Sequence, residues 1–137
     1  MEQPDGLVGS APTRVLDTRD GTGVDSPGTT RPNAVIELDF TLTPDVAADA
    51  DAVVMNVTSV QPDGIGFVTV WPCDQAQPTV SNLNVRSGRT VANLTTVKLS
   101  AAGTVCLVST STTHLIADVA GYLTDVPVDG DALVLDS

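Results

Sequence analysis

The two cysteines of this chain, Cys73 and Cys106, constrain its fold more than any other feature. Each lies at the edge of a Val/Thr-rich run that reads as a β-strand. One such pair, in an acidic chain of short strands and Gly/Pro turns, predicts a disulfide within an extracellular β-sandwich. Bridging requires two strands that are neighbours or that face each other across the sandwich. The bond would close a loop of about 33 residues and contribute roughly 2–4 kcal/mol, acting through the unfolded chain. Two buried free thiols are the alternative. A reactive thiol is disfavoured, because no base or cation lies close in sequence.

A chain of 137 residues is the usual size of one domain. Apolar residues make up 42% and aromatics only 3%, so Val, Leu, Ala and Ile must fill the core. Seventeen acidic residues, 15 of them Asp, oppose six basic ones, for a net charge of −11. That charge disfavours nucleic acid and anionic membrane surfaces as partners. No segment reaches the 18 or more apolar residues of a membrane span. The first residues, Met-Glu-Gln-Pro-Asp-Gly, carry neither the basic nor the apolar region of an export signal. The expectation is therefore a secreted domain that is one segment of a longer precursor.

Residues 1–12 read as a flexible lead-in and 13–124 as the folded domain. Residues 125–137 read as an acidic tail or, through Ala132–Leu135, an extra edge strand. Strands are predicted at Arg14–Thr18, Val35–Leu42, Ala52–Val60, Ile65–Pro72, Thr79–Val85, Val91–Leu99, Thr104–Ser109 and Thr113–Leu123. Within Val35–Leu42 apolar and acidic residues alternate with a period of two. Gln61-Pro62-Asp63-Gly64 predicts a hairpin turn between the third and fourth runs. Pro44–Asp51 has composition for a helical turn or two. About eight short strands without an amphipathic helix predict a single antiparallel β-sandwich of jelly-roll or Greek-key type.

Polar residues inside these strands attract attention, since Asn and Asp are poor strand formers and a buried unpaired polar group costs roughly 1–3 kcal/mol. Asn56, Asn82, Asn84, Asn93 and Asp118 all interrupt apolar runs. Arg14 and Arg19 flank Asp17 and could supply guanidinium forks to it. Together these eight residues predict an internal polar network that fixes strand register, or else a pocket for a small polar ligand or sugar. Asn56-Val57-Thr58 and Asn93-Leu94-Thr95 match the glycosylation sequon, but their placement within strands argues against modification. His114, the only histidine, stands about 13 Å along its strand from Asp118, too far to pair with it.

Asp17, Asp20 and Asp25, in a glycine-rich loop, are weak candidate ligands for Ca²⁺, as are Asp129, Asp131 and Asp136. Their spacing does not match a calcium-binding loop. Trp71, at a strand end before Pro72 and Cys73, is the leading candidate for an exposed ligand contact, followed by Tyr122. Packing against the disulfide is the alternative for the Trp71 ring.

Pro12-Thr13-Arg14-Val15-Leu16-Asp17-Thr18-Arg19 and Ala52-Val53-Val54-Met55-Asn56-Val57-Thr58 resemble a module of large secreted proteins from high-GC Gram-positive bacteria. Gly66-Phe67-Val68-Thr69-Val70-Trp71-Pro72-Cys73, Ser81–Asn84, Val91–Leu94 and His114–Tyr122 extend the resemblance over most of residues 12–124. Such modules occur singly or in tandem beside peptidases, cell-wall amidases and other secreted enzymes. The resemblance implies an accessory, non-catalytic surface domain; apart from the weak Ca²⁺ candidates, no cofactor is expected. Its expected partners are cell-wall or extracellular polysaccharide, or a protein surface. The rival expectation is a structural subunit that self-associates by strand addition at a sheet edge.

Overall fold

Val, Ile and Thr suit a pleated surface with one dry and one wet face, and the strands of this chain are built from them. The computed structural model describes residues 7–124. They form β1 (Leu7–Asp17), β2 (Ile36–Asp39), β3 (Ala52–Val60), β4 (Gly66–Pro72), β5 (Leu83–Val85), β6 (Val91–Lys98), β7 (Thr104–Ser109) and β8 (His114–Leu123). A single 3-10 turn at Phe40–Leu42, started by the Asp39 carboxylate accepting from Thr41 N–H, follows β2. No helix forms at Pro44–Asp51, which is a series of turns and bends.

Two four-stranded antiparallel sheets result, in the orders β1-β8-β3-β6 and β2-β7-β4-β5. The pairs β1·β8, β2·β7, β3·β6 and β4·β5 describe one long antiparallel ribbon rolled into a sandwich. This is the jelly-roll arrangement. Between the sheets lies a core of Leu16, Leu38, Phe40, Val53, Met55, Val57, Val68, Val70, Val105, Leu107, Leu115 and Val119. On β3 the burial alternates, Val53, Met55, Val57 and Ser59 facing inward.

The rolled ribbon corrects two expectations. β3 and β4 are not a hairpin: β3 pairs with β6 and β8, and β4 with β5 and β7. The Gln61–Gly64 segment instead carries the chain from one sheet to the other, with Gln61 at φ 47° and Pro62 buried. The predicted lead-in is also shorter than residues 1–12, since β1 begins at Leu7 and pairs Leu7 with Leu123 and Val8 with Tyr122. Close approach of these strands requires glycine at 121, where a Cβ would collide with the Val8 carbonyl. Residues 125–137, with the expected tail or edge strand, lie outside the described residues.

The Cys73–Cys106 disulfide is present, with Cα atoms 5.0 Å apart. It joins neighbouring strands of one sheet and does not tie the two sheets together, because Cys106 lies opposite Trp71 on β4 and Cys73 directly follows that strand.

Candidate functional site

Chain register explains the first cluster. Arg14 on β1, Asp118 on β8 and Asn56 on β3 occupy one row across the outer face of their sheet. Arg14 Nε donates to Asp118 Oδ1 at 2.9 Å, and Arg14 also reaches Asp17 Oδ2 at 3.3 Å. Asp17 is only 2% exposed. Arg19 grips it through Nε to Oδ1 and an η-nitrogen to Oδ2, both at 2.9 Å, while its own backbone N–H adds a third bond. Hydrogen bonding from the Arg19 side chain, aided by the charges of Arg19 and Arg14, pulls the Asp17 carboxyl down to about 2, against the opposing effect of burial. A carboxylate so enclosed is a structural anion.

That arrangement removes Asp17 from the candidate calcium ligands, because both its oxygens are held by guanidinium groups. Asp20 turns instead to the Thr22 hydroxyl and N–H, which lower its pKa. Asp25 lines a separate groove of about 490 Å³ between the β1 and β2 edges, beside Glu37, Asp39 and Leu42. Among the described residues, the grouping of ligand atoms close enough to share an ion is Glu37 with Cys73 and Cys106. Its sulfurs are bonded to each other and do not supply thiolate ligands. Asp129, Asp131 and Asp136 lie outside the described residues.

The asparagines do not join one network. Asn82 Oδ1 accepts from Val70 N–H at 2.8 Å, and Asn93 Nδ2 donates to the Asn82 carbonyl at 2.8 Å. The first bond holds the segment before β5 to β4 within one sheet, and the second ties it to β6 of the opposite sheet, so this pair closes one side of the sandwich. Asn84 is exposed and pairs locally with the Ser81 hydroxyl. Asn56, on the same sheet as Asn93, faces outward instead and is half-buried beside Asp118. The eight expected residues therefore separate by strand parity and sheet. They enclose no common cavity.

His114 meets Thr18, whose Oγ1 lies 2.9 Å from Nδ1 and accepts from Leu115 N–H at 3.0 Å. Thr18 is 2% exposed, so this contact fastens the chain after β1 to β8.

Trp71 is not an exposed anchor. It is 5% exposed and packs with Cys106, Val108 and Cys73 on the outer face of the second sheet. The loop 73–82 folds over that face, where Thr69 Oγ1 donates to the Val80 carbonyl at 2.7 Å. Tyr122 is partly buried against the main core.

The other end of the same face is bare. Phe67, two residue pairs along β4 from Trp71, is 39% exposed, and the adjoining Ile65 is 85% exposed. They line an open groove of about 940 Å³ with Asn84, Arg86, Arg89 and Thr110. Neither Arg86 nor Arg89 forms an ion pair among the described residues, in contrast to Arg14 and Arg19. The loops here are rigidly joined: Gly88 N–H donates to the Pro62 carbonyl at 2.7 Å and Asp63 N–H to that of Thr112 at 2.9 Å. Asp63 is the nearby acid, and its Oδ1 accepts from Thr112 N–H. Thr110 crowds Gly66 so closely that a side chain at 66 would collide with it. Sequence reasoning passed over Ile65, Arg86 and Arg89, and counted Phe67 only among the few aromatics that a sugar could meet. The available signal was two of the six basic residues, three positions apart at a turn, in a chain of charge −11.

No family profile and no curated protein matches the chain. Among solved structures, the coat protein dimer of Tobacco streak virus is similar at 10% identity and a TM-score of 0.46, covering 95% of this chain and 96% of that one. A C2 crystal form of the same coat protein gives 11% identity and a TM-score of 0.44, with 96% of both chains covered. A likeness that distant carries no argument, and the jelly-roll assignment rests on the strand order.

Proposed function

We propose that this protein is a non-catalytic extracellular interaction module that binds an acidic polypeptide segment bearing apolar side chains. The observation that carries the reading is the bare loop end, where Ile65 and Phe67 stand beside Arg86 and Arg89 on hydrogen-bonded turns. An apolar group held in water beside two uncommitted cations favours a ligand of matching character. Rigid turns lower the ordering cost of binding. The disulfide supports an oxidising, extracellular setting. The resemblance to accessory modules of secreted bacterial proteins supports the same context.

A sugar-binding reading has less support, because the Trp71 ring is buried against Cys106, Val108 and Cys73 and is not presented to a ligand. A catalytic reading also lacks a poised base, since Thr18 occupies His114 Nδ1 and guanidinium groups enclose Asp17. Selection from a random peptide display library tests the proposal. The expected winners combine Asp or Glu with Leu, Val or Phe, and Arg86→Ala with Arg89→Ala should lower their binding at least tenfold. Absence of enrichment, or enrichment indifferent to both arginines, would refute it.

A further inference from the structure

We infer that the occupant of the Ile65/Phe67 groove is the C-terminal segment of a second copy of this chain, so that copies associate head to tail. The inference rests on the binding-module reading above and names the partner of that site. The sequence after the described residues is Asp125-Val126-Pro127-Val128-Asp129-Gly130-Asp131-Ala132-Leu133-Val134-Leu135-Asp136-Ser137. It carries four carboxylate side chains and no cation. Asp131 and Asp136 bracket the apolar run Ala132–Leu135. That pattern complements a groove with an apolar floor and arginines at its rim.

Geometry favours another copy over the same one. β8 begins beside Val60, at the loop end that holds the groove, and finishes beside Ala52 at the opposite end. Its ten residues span about 33 Å at 3.3 Å per residue. Measured from Leu123, the nine residues from Thr124 to Ala132 reach at most about 32 Å when fully extended, and the chain to Leu135 at most about 43 Å. The apolar run of one copy therefore reaches its own groove only with nearly every residue stretched along the subunit, a constraint that a second copy does not impose. A segment that leaves one end of a subunit and seats at the far end of the next makes a heterologous contact, which builds open chains of copies. A contact made by a few residues is smaller than a standard stable interface, so the association is weak and concentration-dependent.

Light scattering across a concentration series of the full chain tests this. The native protein should rise in mean mass above a monomer as concentration increases. Arg86→Glu with Arg89→Glu should hold it at monomer mass, and so should Asp131→Arg with Asp136→Arg in the otherwise native chain. All four positions are surface or terminal substitutions, and circular dichroism should show each variant folded. Mixing the two variants should restore the mass increase, because each then offers the charge the other lacks. A native chain that stays monomeric would overturn the inference, as would association that survives both reversals or fails to return on mixing. If the peptide library still selects acidic, apolar sequences through Arg86 and Arg89 while the native chain is monomeric, the binding-module reading stands and self-association falls.

Discussion

The two ends of β4 carry aromatic residues on the same face of the same sheet, yet they meet opposite fates. At one end Trp71 is buried against Val108 and a disulfide that pins the start of the loop 73–82, which is itself tied back to this face through Thr69 and Val80. At the other end Phe67 and Ile65 have no cover and two arginines for neighbours. The strand itself is equally regular at both ends. The difference lies in whether the chain spent a loop on the face, and an uncovered apolar surface on a rigid frame is where a partner is expected.

Substitutions should separate the two ends by size of effect. Trp71→Ala should destabilise most, by about 3–5 kcal/mol in urea unfolding, since it empties a packed site against the disulfide and Val108. A loss below about 1 kcal/mol would mean that the loop does not truly seal that end. Replacing both cysteines by serine should cost about 2–4 kcal/mol, while far-UV circular dichroism stays that of a β-protein. Complete unfolding of the double variant would show the staple holding more than its own sheet.

The opposite sheet offers a third comparison, for its outer face is screened by guanidinium groups where the disulfide end uses a loop. The Asp17 carboxyl falls from 3.8 to about 2 in the folded chain. Its contribution is therefore complete above about pH 4 and fades as pH drops through 2. Allowing for solvent around the half-exposed arginines, the loss is about 1–2 kcal/mol. Asp17→Asn should flatten that acid limb, and an unchanged limb would assign it to other carboxylates. Smallest of all, Ile65→Ser should alter stability by no more than about 0.5 kcal/mol while weakening peptide binding. A large stability loss would make Ile65 a packing residue and erase the contrast between the ends.

Much of this architecture was legible in local pattern. Alternation in β2 and β3, and glycines at 88 and 103 that adopt φ 73° and 80°, mark strands and their breaks through short-range sterics. Pairing was not legible. Gln61-Pro62-Asp63-Gly64 has hairpin chemistry, but its partners are decided by loops and strands up to a whole domain away. Trp71 misled for a related reason: Pro72 and Cys73 suggested a strand end open to solvent, and only the packing of Cys106 and Val108 of β7 against the ring shows otherwise. Asn82 and Asn93 were recognisable as polar interruptions, but their joint role depends on two sheet edges meeting. Arg14, Asp17 and Arg19 were readable together because their bonds span only a few residues.

Pairing of Leu7 with Leu123 has a consequence for any longer polypeptide that carries this fold. Entry and exit sit side by side at one pole, so the domain can hang from a carrier like a bead on a stalk. The pole bearing Ile65 then points outward, away from whatever the carrier is attached to.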